Sequence, residues 1–239
     1  MKPVLGIIPA RGGSKGIPLK NLAELAGKPL LAYTTEAALN SRLLSRVILS
    51  TDHSEIARFG KGTGIEVPFL RPAEFATDSA TIEAVVRHAL NWLEETENYR
   101  PAAFVILHPT TPLRTAKHID EAIEHLDRSD VDSVVSVSPP MEHPCDMVYF
   151  KDRRMYWTLP KEGYVAGAQR QGYPECFFVN GAVYVTRIEA FKRTGTRFGS
   201  TTLPYLMDAL DSIDIDTEAD FVLAGLLLRH REEMRNAIE

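Results

Sequence analysis

The chain has 239 residues, 44% hydrophobic and 25% charged, proportions ordinary for a soluble globular protein with one sizeable core. Its 27 lysines and arginines face 32 aspartates and glutamates, a net charge of −5 without a basic run, so polynucleotide binding is not expected. Cys145 and Cys176 form no C-x-x-C pair, and no stretch reaches the ~18 apolar residues of a membrane span, which together lead to the expectation of a cytoplasmic protein in a reducing compartment.

Val4 to Ile8 reads as a buried strand, followed by a glycine-rich loop and a helix through Leu30, Leu31, Ala37 and Ala38. Arg46 to Ser50 reads as a second strand, ending at Thr51-Asp52. From Ile82 to Leu93, apolar residues at 82, 85, 86, 89, 90 and 93 form a helical stripe. Phe104 to Leu107 is a further strand, Ile119, Ala122, Ile123 and Leu126 mark a helix, and Val131 to Val137 a strand. Continuous apolar strands separated by helices call for a mainly parallel sheet covered on both faces. The expected class is a Rossmann-like, doubly wound α/β fold, with ligands beyond the carboxyl ends of its strands.

The alternation stops after Ser138-Pro139-Pro140. Residues 141–174 read as an excursion within a single domain of 1–239, and its aromatics Tyr149, Tyr156, Trp157 and Tyr164 suit either a partner subunit or a loop cover. Phe177 to Thr186 returns to strand character, Ser212 to Asp216 reads as a short strand, and Thr217 to Asp220 resembles a capping box opening an apolar C-terminal helix.

Three segments carry chemistry. The first is the loop Ala10-Arg11-Gly12-Gly13-Ser14-Lys15-Gly16-Ile17-Pro18-Leu19-Lys20-Asn21. Its glycines permit close backbone approach to an oxyanion, and Arg11, Lys15, Lys20 and Ser14 offer charge and donors. It has neither Walker A order nor the dinucleotide spacing. A surface turn is the plainer alternative, but the place after the first strand favours phosphate. The second is Asp211 to Thr217. With Ile213 and Ile215 facing one way, Asp214 and Asp216 share the other face at a Cα separation of roughly 6.5 Å, suited to one Mg²⁺ with nucleotide phosphates or else to a solvated acidic end. The third is His108-Pro109-Thr110-Thr111-Pro112-Leu113-Arg114, stiffened by two prolines. A lone histidine is more often structural, and Arg114 suits a salt bridge equally well. Arg170 can grip a carboxylate in two-pronged fashion or remain a surface charge.

These segments, with STD at 50–52, RPAEFATD at 71–78, NGAVY at 180–184 and DSIDIDTEADF near the C-terminus, occur together in an order that resembles the acylneuraminate cytidylyltransferases: the CMP-sialic acid synthetases and their bacterial relatives for other nonulosonic acids. The resemblance runs nearly end to end. It implies Mg²⁺-dependent transfer of CMP from CTP to a 2-keto sugar acid, in a homodimer formed through the excursion. It also implies that Arg11 and Lys20 act in catalysis and that Ala10, Gly12, Ser14 and Asn21 join them around the nucleotide. Arg71, Ala80 and Thr81 then surround the base, His108, Arg170 and Tyr184 lie by the sugar, and Asp214 and Asp216 hold the metal. Departures cluster on the sugar side. The familiar loop has glutamine and serine where this chain has His108 and Thr111, many relatives have arginine before the Asn-Gly pair where this chain has Phe178-Val179, and Ile82 stands where a hydroxyl residue is usual. An imidazole titrating near pH ~6.5 would read the acceptor differently from a glutamine amide. Transfer to 3-deoxy-manno-octulosonate or a sugar 1-phosphate, or nucleotide sensing without chemistry, are the rival readings; the paired aspartates speak against a mere sensor.

Overall fold

The computed structural model describes residues 2–13, 16–159 and 173–236. β1 (Val4–Pro9) leads through a 3-10 turn at Lys20–Leu22 to a small hairpin of β2 (Glu24–Leu25) and β3 (Lys28–Pro29), then α1 (Leu30–Leu39). β4 (Arg46–Ser50), α2 (Ser54–Gly62), α3 (Ile82–Glu97), β5 (Ala103–Ile106), α4 (Ala116–Asp127) and β6 (Ser133–Ser138) follow. A second hairpin, β7 (Val148–Lys151) with β8 (Arg154–Trp157), precedes β9 (Phe178–Arg187), α5 (Ile188–Thr194), β10 (Thr202–Leu206) and α6 (Glu218–Asn236).

The central sheet has the order β10-β6-β9-β5-β1-β4. β1 is parallel to β4 and β5, and β6 to β10, whereas β9 runs antiparallel to both of its neighbours. The mainly parallel α/β architecture is therefore as expected. Ser138 pairs with Phe178, so β6 and β9 are two arms of one hairpin whose connection is the whole of 139–177. A chain that re-enters the sheet at the end it left must run back antiparallel.

The strands alternate their side chains between two helical layers. Val4, Ile8, Leu49, Val105, Val134 and Val185 pack against α1, α2 and α4, through residues such as Leu31, Ile56, Ile119 and Ile123. Leu5, Ile7, Ile48, Phe104, Ile106 and Val135 pack against α3 and α5, through Val86, Leu93 and Phe191. Each such buried side chain contributes about 1.5–3 kcal/mol relative to exposure. A third cluster of Leu25, Leu30, Leu113, Ile213, Ile215 and Ala224 joins the β2–β3 hairpin to α6 beside the loop that follows β5.

Two departures from the sequence reading concern strands read or missed late in the chain. β10 is unforeseen because Pro204 interrupts its run; at the sheet edge, with β6 its one neighbour in the order, a missing donor is tolerated. Ser212 to Asp216 is not a strand of the sheet. Ile213 and Ile215 are buried as the alternation requires, but the Ile215 amide donates to the Thr110 carbonyl at 2.8 Å, in a loop rather than a ladder. The capping box forms as expected: Thr217 N donates to Asp220 Oδ2 at 2.8 Å and Asp220 N to Thr217 Oγ1 at 3.3 Å. In the excursion Tyr149, Tyr156 and Trp157 are exposed, joined by Phe150 at 77%; Tyr164 lies outside the described residues.

Candidate active site

The loop after β1 is pinned at both ends. The Ala10 amide donates to the Ser50 carbonyl at 3.0 Å, and the Gly12 amide to Asp52 Oδ1 at 2.9 Å. A Cβ at Gly12 would stand 2.7 Å from the His53 ring, so the close approach admits only glycine. At the far end, buried Asn21 donates from Nδ2 to the Arg11 carbonyl at 2.9 Å, and Lys20 Nζ donates to the Ile215 carbonyl at 2.6 Å. The Arg11 guanidinium faces the 71–81 segment, 2.9 Å from Asp78 and 3.2 Å from the Thr77 carbonyl. Ser14 and Lys15 lie outside the described residues.

The 71–81 segment is anchored by Arg71. This buried side chain donates from Nε to Ser50 Oγ at 3.1 Å, from Nη1 to the Phe75 carbonyl at 3.3 Å, and from Nη2 to the Ser50 carbonyl. Burial, with Arg11 adding, lowers its pKa to about 10 while Asp52 opposes, so it stays cationic at neutral pH. Thr81 caps α3, its hydroxyl accepting from the Ala84 amide at 3.2 Å.

The opposite wall rises from the end of β5. The His108 carbonyl accepts from Arg114 Nη1 at 3.0 Å, Thr111 Oγ1 at 3.1 Å and Thr34 Oγ1 at 3.4 Å. Arg114 is buried and also donates to Ala182 O at 2.8 Å, Thr111 Oγ1 at 2.7 Å and Thr34 Oγ1 at 2.6 Å. Hydroxyls and carbonyls, rather than a contacting carboxylate, hold this guanidinium among the described residues; burial lowers its pKa to about 9, with Asp214 opposing. With its backbone so fixed, the His108 ring sits edge-on to Tyr184 at 5.9 Å. Burial lowers its pKa to about 4, and the charges of Arg114 and Arg197 push the same way. Titration near pH 6.5 is therefore not a property of this imidazole, which is neutral throughout the physiological range.

Asp216 is exposed and lines the cavity, whereas Asp214 sits deeper. Burial raises the Asp214 pKa and Asp216 adds to this, against a hydrogen bond from Thr110 and the charge of Lys20. Its Oδ1 is buried without a hydrogen-bond partner among the described residues, and its Oδ2 lies 3.2 Å from where a Gly181 Cβ would stand. An orphaned carboxylate oxygen beside a second carboxylate fits a divalent cation. No group of three or more His, Cys, Asp or Glu side chains suited to a metal occurs among the described residues, so further oxygens would have to come from a ligand.

These walls enclose a cavity of about 420 Å³. Of the residues singled out from sequence, Arg11, Lys20, Asn21, Arg71, Ala80, His108 and Asp216 line it together. Ala10, Gly12, Thr81, Tyr184 and Asp214 are not among its lining residues, and Arg170 lies outside the described residues. Phe75, Thr77, Asp78 and Thr110 line it as well. They sit inside the RPAEFATD and PTTP segments, but nothing in their residue types alone marks them as site residues.

A family model described as "Cytidylyltransferase" matches residues 5–168. An N-acylneuraminate cytidylyltransferase of Streptococcus agalactiae serotype V is 36% identical over 231 residues, covering 93% of this chain and 52% of the relative. A CMP-N,N'-diacetyllegionaminic acid synthase of Legionella pneumophila is 31% identical over 233 residues, covering 96% and 98%. The chain thus spans about half the length of the streptococcal relative and nearly all of the Legionella one. Among solved structures, a CMP:2-keto-3-deoxy-manno-octonic acid synthetase complexed with CTP superposes with a TM-score of 0.68 at 14% identity, covering 96% of this chain and 99% of that one, a likeness of fold.

Proposed function

The chain belongs to the cytidylyltransferase family, and from that premise we propose that it transfers CMP from CTP to the anomeric hydroxyl of a nonulosonic 2-keto sugar acid, releasing pyrophosphate. The observation that carries the reading is one cavity with Arg11 and Lys20 along one side and neutral His108 on the other. The cations suit a triphosphate, and an uncharged ring suits a hydroxylated sugar better than a second anion-binding cation would. Relatives named for acylneuraminic and legionaminic acids support that acceptor class over 3-deoxy-manno-octulosonate or a sugar 1-phosphate.

In this reading the sugar hydroxyl attacks the α-phosphorus in line, its proton passes to solvent, and the bond to pyrophosphate breaks. Arg11 exchanges Asp78 for the triphosphate, and Lys20, held by the Ile215 carbonyl, meets negative charge as it moves to the leaving group. Ala10, Gly12, Ser14 and Asn21 shape the loop around the nucleotide, while Arg71, Ala80 and Thr81 build the wall for the base. His108 contacts the acceptor with Tyr184 behind it, and Arg170 grips the acceptor carboxylate. Asp214 and Asp216 would hold Mg²⁺, which when bound offsets phosphate charge. The protein works in the cytoplasm as a homodimer, with the exposed Tyr149, Phe150, Tyr156 and Trp157 meeting the second copy.

The test is pyrophosphate release from CTP, UTP and ATP against a panel of nonulosonic acids, 3-deoxy-manno-octulosonate and sugar 1-phosphates. Release with CTP and a nonulosonic acid is expected. Equal release with UTP or ATP removes the cytidylyl assignment, a better rate with another acceptor removes the sugar assignment, and no release leaves the sensor reading.

A further inference from the structure

Asn180 and Gly181 do not line the cavity, yet they sit where the pairing of β6 with β9 slips. The register runs Val135↔Tyr184 and resumes at Val137↔Val179, so the residues between lose their ladder partners. Two fully buried side chains repair the gap. Ser136 Oγ accepts from the Val183 amide at 2.7 Å and donates to Asn180 Oδ1 at 2.6 Å, and Oδ1 also accepts from the Ala182 amide at 3.1 Å. These bonds fix which way the Asn180 amide faces. Its Nδ2 is turned toward the 212–216 segment, where it donates to Ser212 Oγ at 2.8 Å, and Ser212 in turn donates to the Asp208 carbonyl at 2.7 Å.

The same irregularity meets the segment a second time. Gly181 has φ +75°, and its missing side chain leaves the space beside Asp214 Oδ2. From the other side, Lys20 Nζ and the Thr110 carbonyl hold the two ends of the Ile215 peptide group region, its carbonyl and its amide. The segment is thus held at Ser212 and Ile215, with Gly181 leaving room for Asp214 between them, and the hold at Ser212 traces through one amide to the bulge in the sheet.

We propose that Asn180 is a positioning residue for the carboxylate pair: its amide sets the place of Ser212 and thereby the depth at which Asp214 faces the nucleotide cavity. The proposal rests on the reading of Asp214 and Asp216 as cation ligands. Outer hydrogen-bond partners of this kind orient ligating carboxylates, and their loss costs metal affinity.

Asn180→Ala strips bonds from the bulge itself and risks the fold, so the informative variant is Ser212→Ala, which cuts the link to the segment and spares both bonds to Asn180 Oδ1. Mn²⁺ titrated into the nucleotide-free protein, followed by electron paramagnetic resonance, should bind Ser212→Ala about tenfold more weakly than the wild type. Half-saturating Mg²⁺ for turnover should rise by a similar factor, the KM for CTP at saturating Mg²⁺ should stay within about twofold, and Ser212→Thr should retain wild-type Mn²⁺ affinity. Asp214→Asn is the control. If it binds Mn²⁺ as the wild type does, the carboxylate reading falls and the positioning role with it. If Asp214→Asn weakens Mn²⁺ and Ser212→Ala does not, the positioning role alone is overturned.

Discussion

The two sides of the cavity solve opposite problems. On the Arg11 side, the guanidinium is about one-third exposed and paired with a more exposed Asp78, a contact water screens and a ligand can replace. On the far side, burial displaces the pKa values of His108, Arg114 and Asp214, and hydrogen bonds with hydroxyls and carbonyls fix the His108 backbone and the Arg114 guanidinium. One wall is built to change partners and the other to keep them. Charge that must be traded sits at the rim, and geometry that must not drift is locked beneath it.

Substitutions can break or sharpen that contrast. The largest effect should come from Arg114→Met, which leaves the acceptors at Thr34, Thr111, His108 and Ala182 short of a donor. A loss of about 3 kcal/mol or more in urea unfolding is expected; a loss under about 1 kcal/mol would show that the wall is not held this way. Asp214→Asn should cut turnover by a factor on the order of 10² or more. Its carboxyl is raised in the fold, so at neutral pH the ionised form opposes folding, and the neutral amide should melt no lower than the wild type. Near-normal turnover at saturating Mg²⁺ would remove the metal role.

His108→Gln should shift relative kcat/KM among sugar acids by about tenfold and leave the KM for CTP within about twofold. An unchanged ranking would return His108 to the scaffold. Asp78→Asn frees a rim cation and should change the KM for CTP by no more than about threefold, in the range of exposed ion pairs. A change of tenfold or more would mean the rim is locked too. The smallest effect concerns pH. Because the folded pKa of His108, about 4, lies below its unfolded value of about 6.5, the unfolded chain binds the extra proton between them. Its share of stability is full above pH ~6.5 and is lost as pH falls toward 4, while acceptor ranking should be flat from pH 6 to 8. An imidazole ¹³C titration with its midpoint near 6.5 would contradict the enclosed setting.

Much of this was legible in the chain. Continuous apolar runs located β1, β4, β5 and β6, and period-3.6 stripes located α3 and α4, because those elements bury apolar faces that the sequence pattern records. The glycine-rich loop that lines the cavity was legible for the same local reason: its glycines and cations lie close together in the chain. What stayed hidden depends on assembly. β9 reads as a strand, but its direction follows from where the chain re-enters the sheet, and Pro204 is compatible with β10 only at an edge. The His108 ring looks like a pH sensor until burial beside Tyr184 and Arg197, both distant in sequence, is added to the charge of Arg114 from its own loop. Ile213 and Ile215 gave the correct alternation for Asp214 and Asp216, but alternation alone cannot tell a ladder from an extended loop packed on a hairpin.

The hairpin formed by β6 and β9 carries a consequence for how such a chain can diversify. Ser138 and Phe178 are neighbours across the ladder, so residues 139–177 leave and return through a single doorway. The entropic cost of closing a connection grows only logarithmically with its length, about 0.6 kcal/mol per doubling, and the central sheet requires only that the two ends meet. The excursion is in that sense an interchangeable cassette. Insertions, deletions or a transplanted segment between those two residues should alter what the protein touches long before they alter what it folds into.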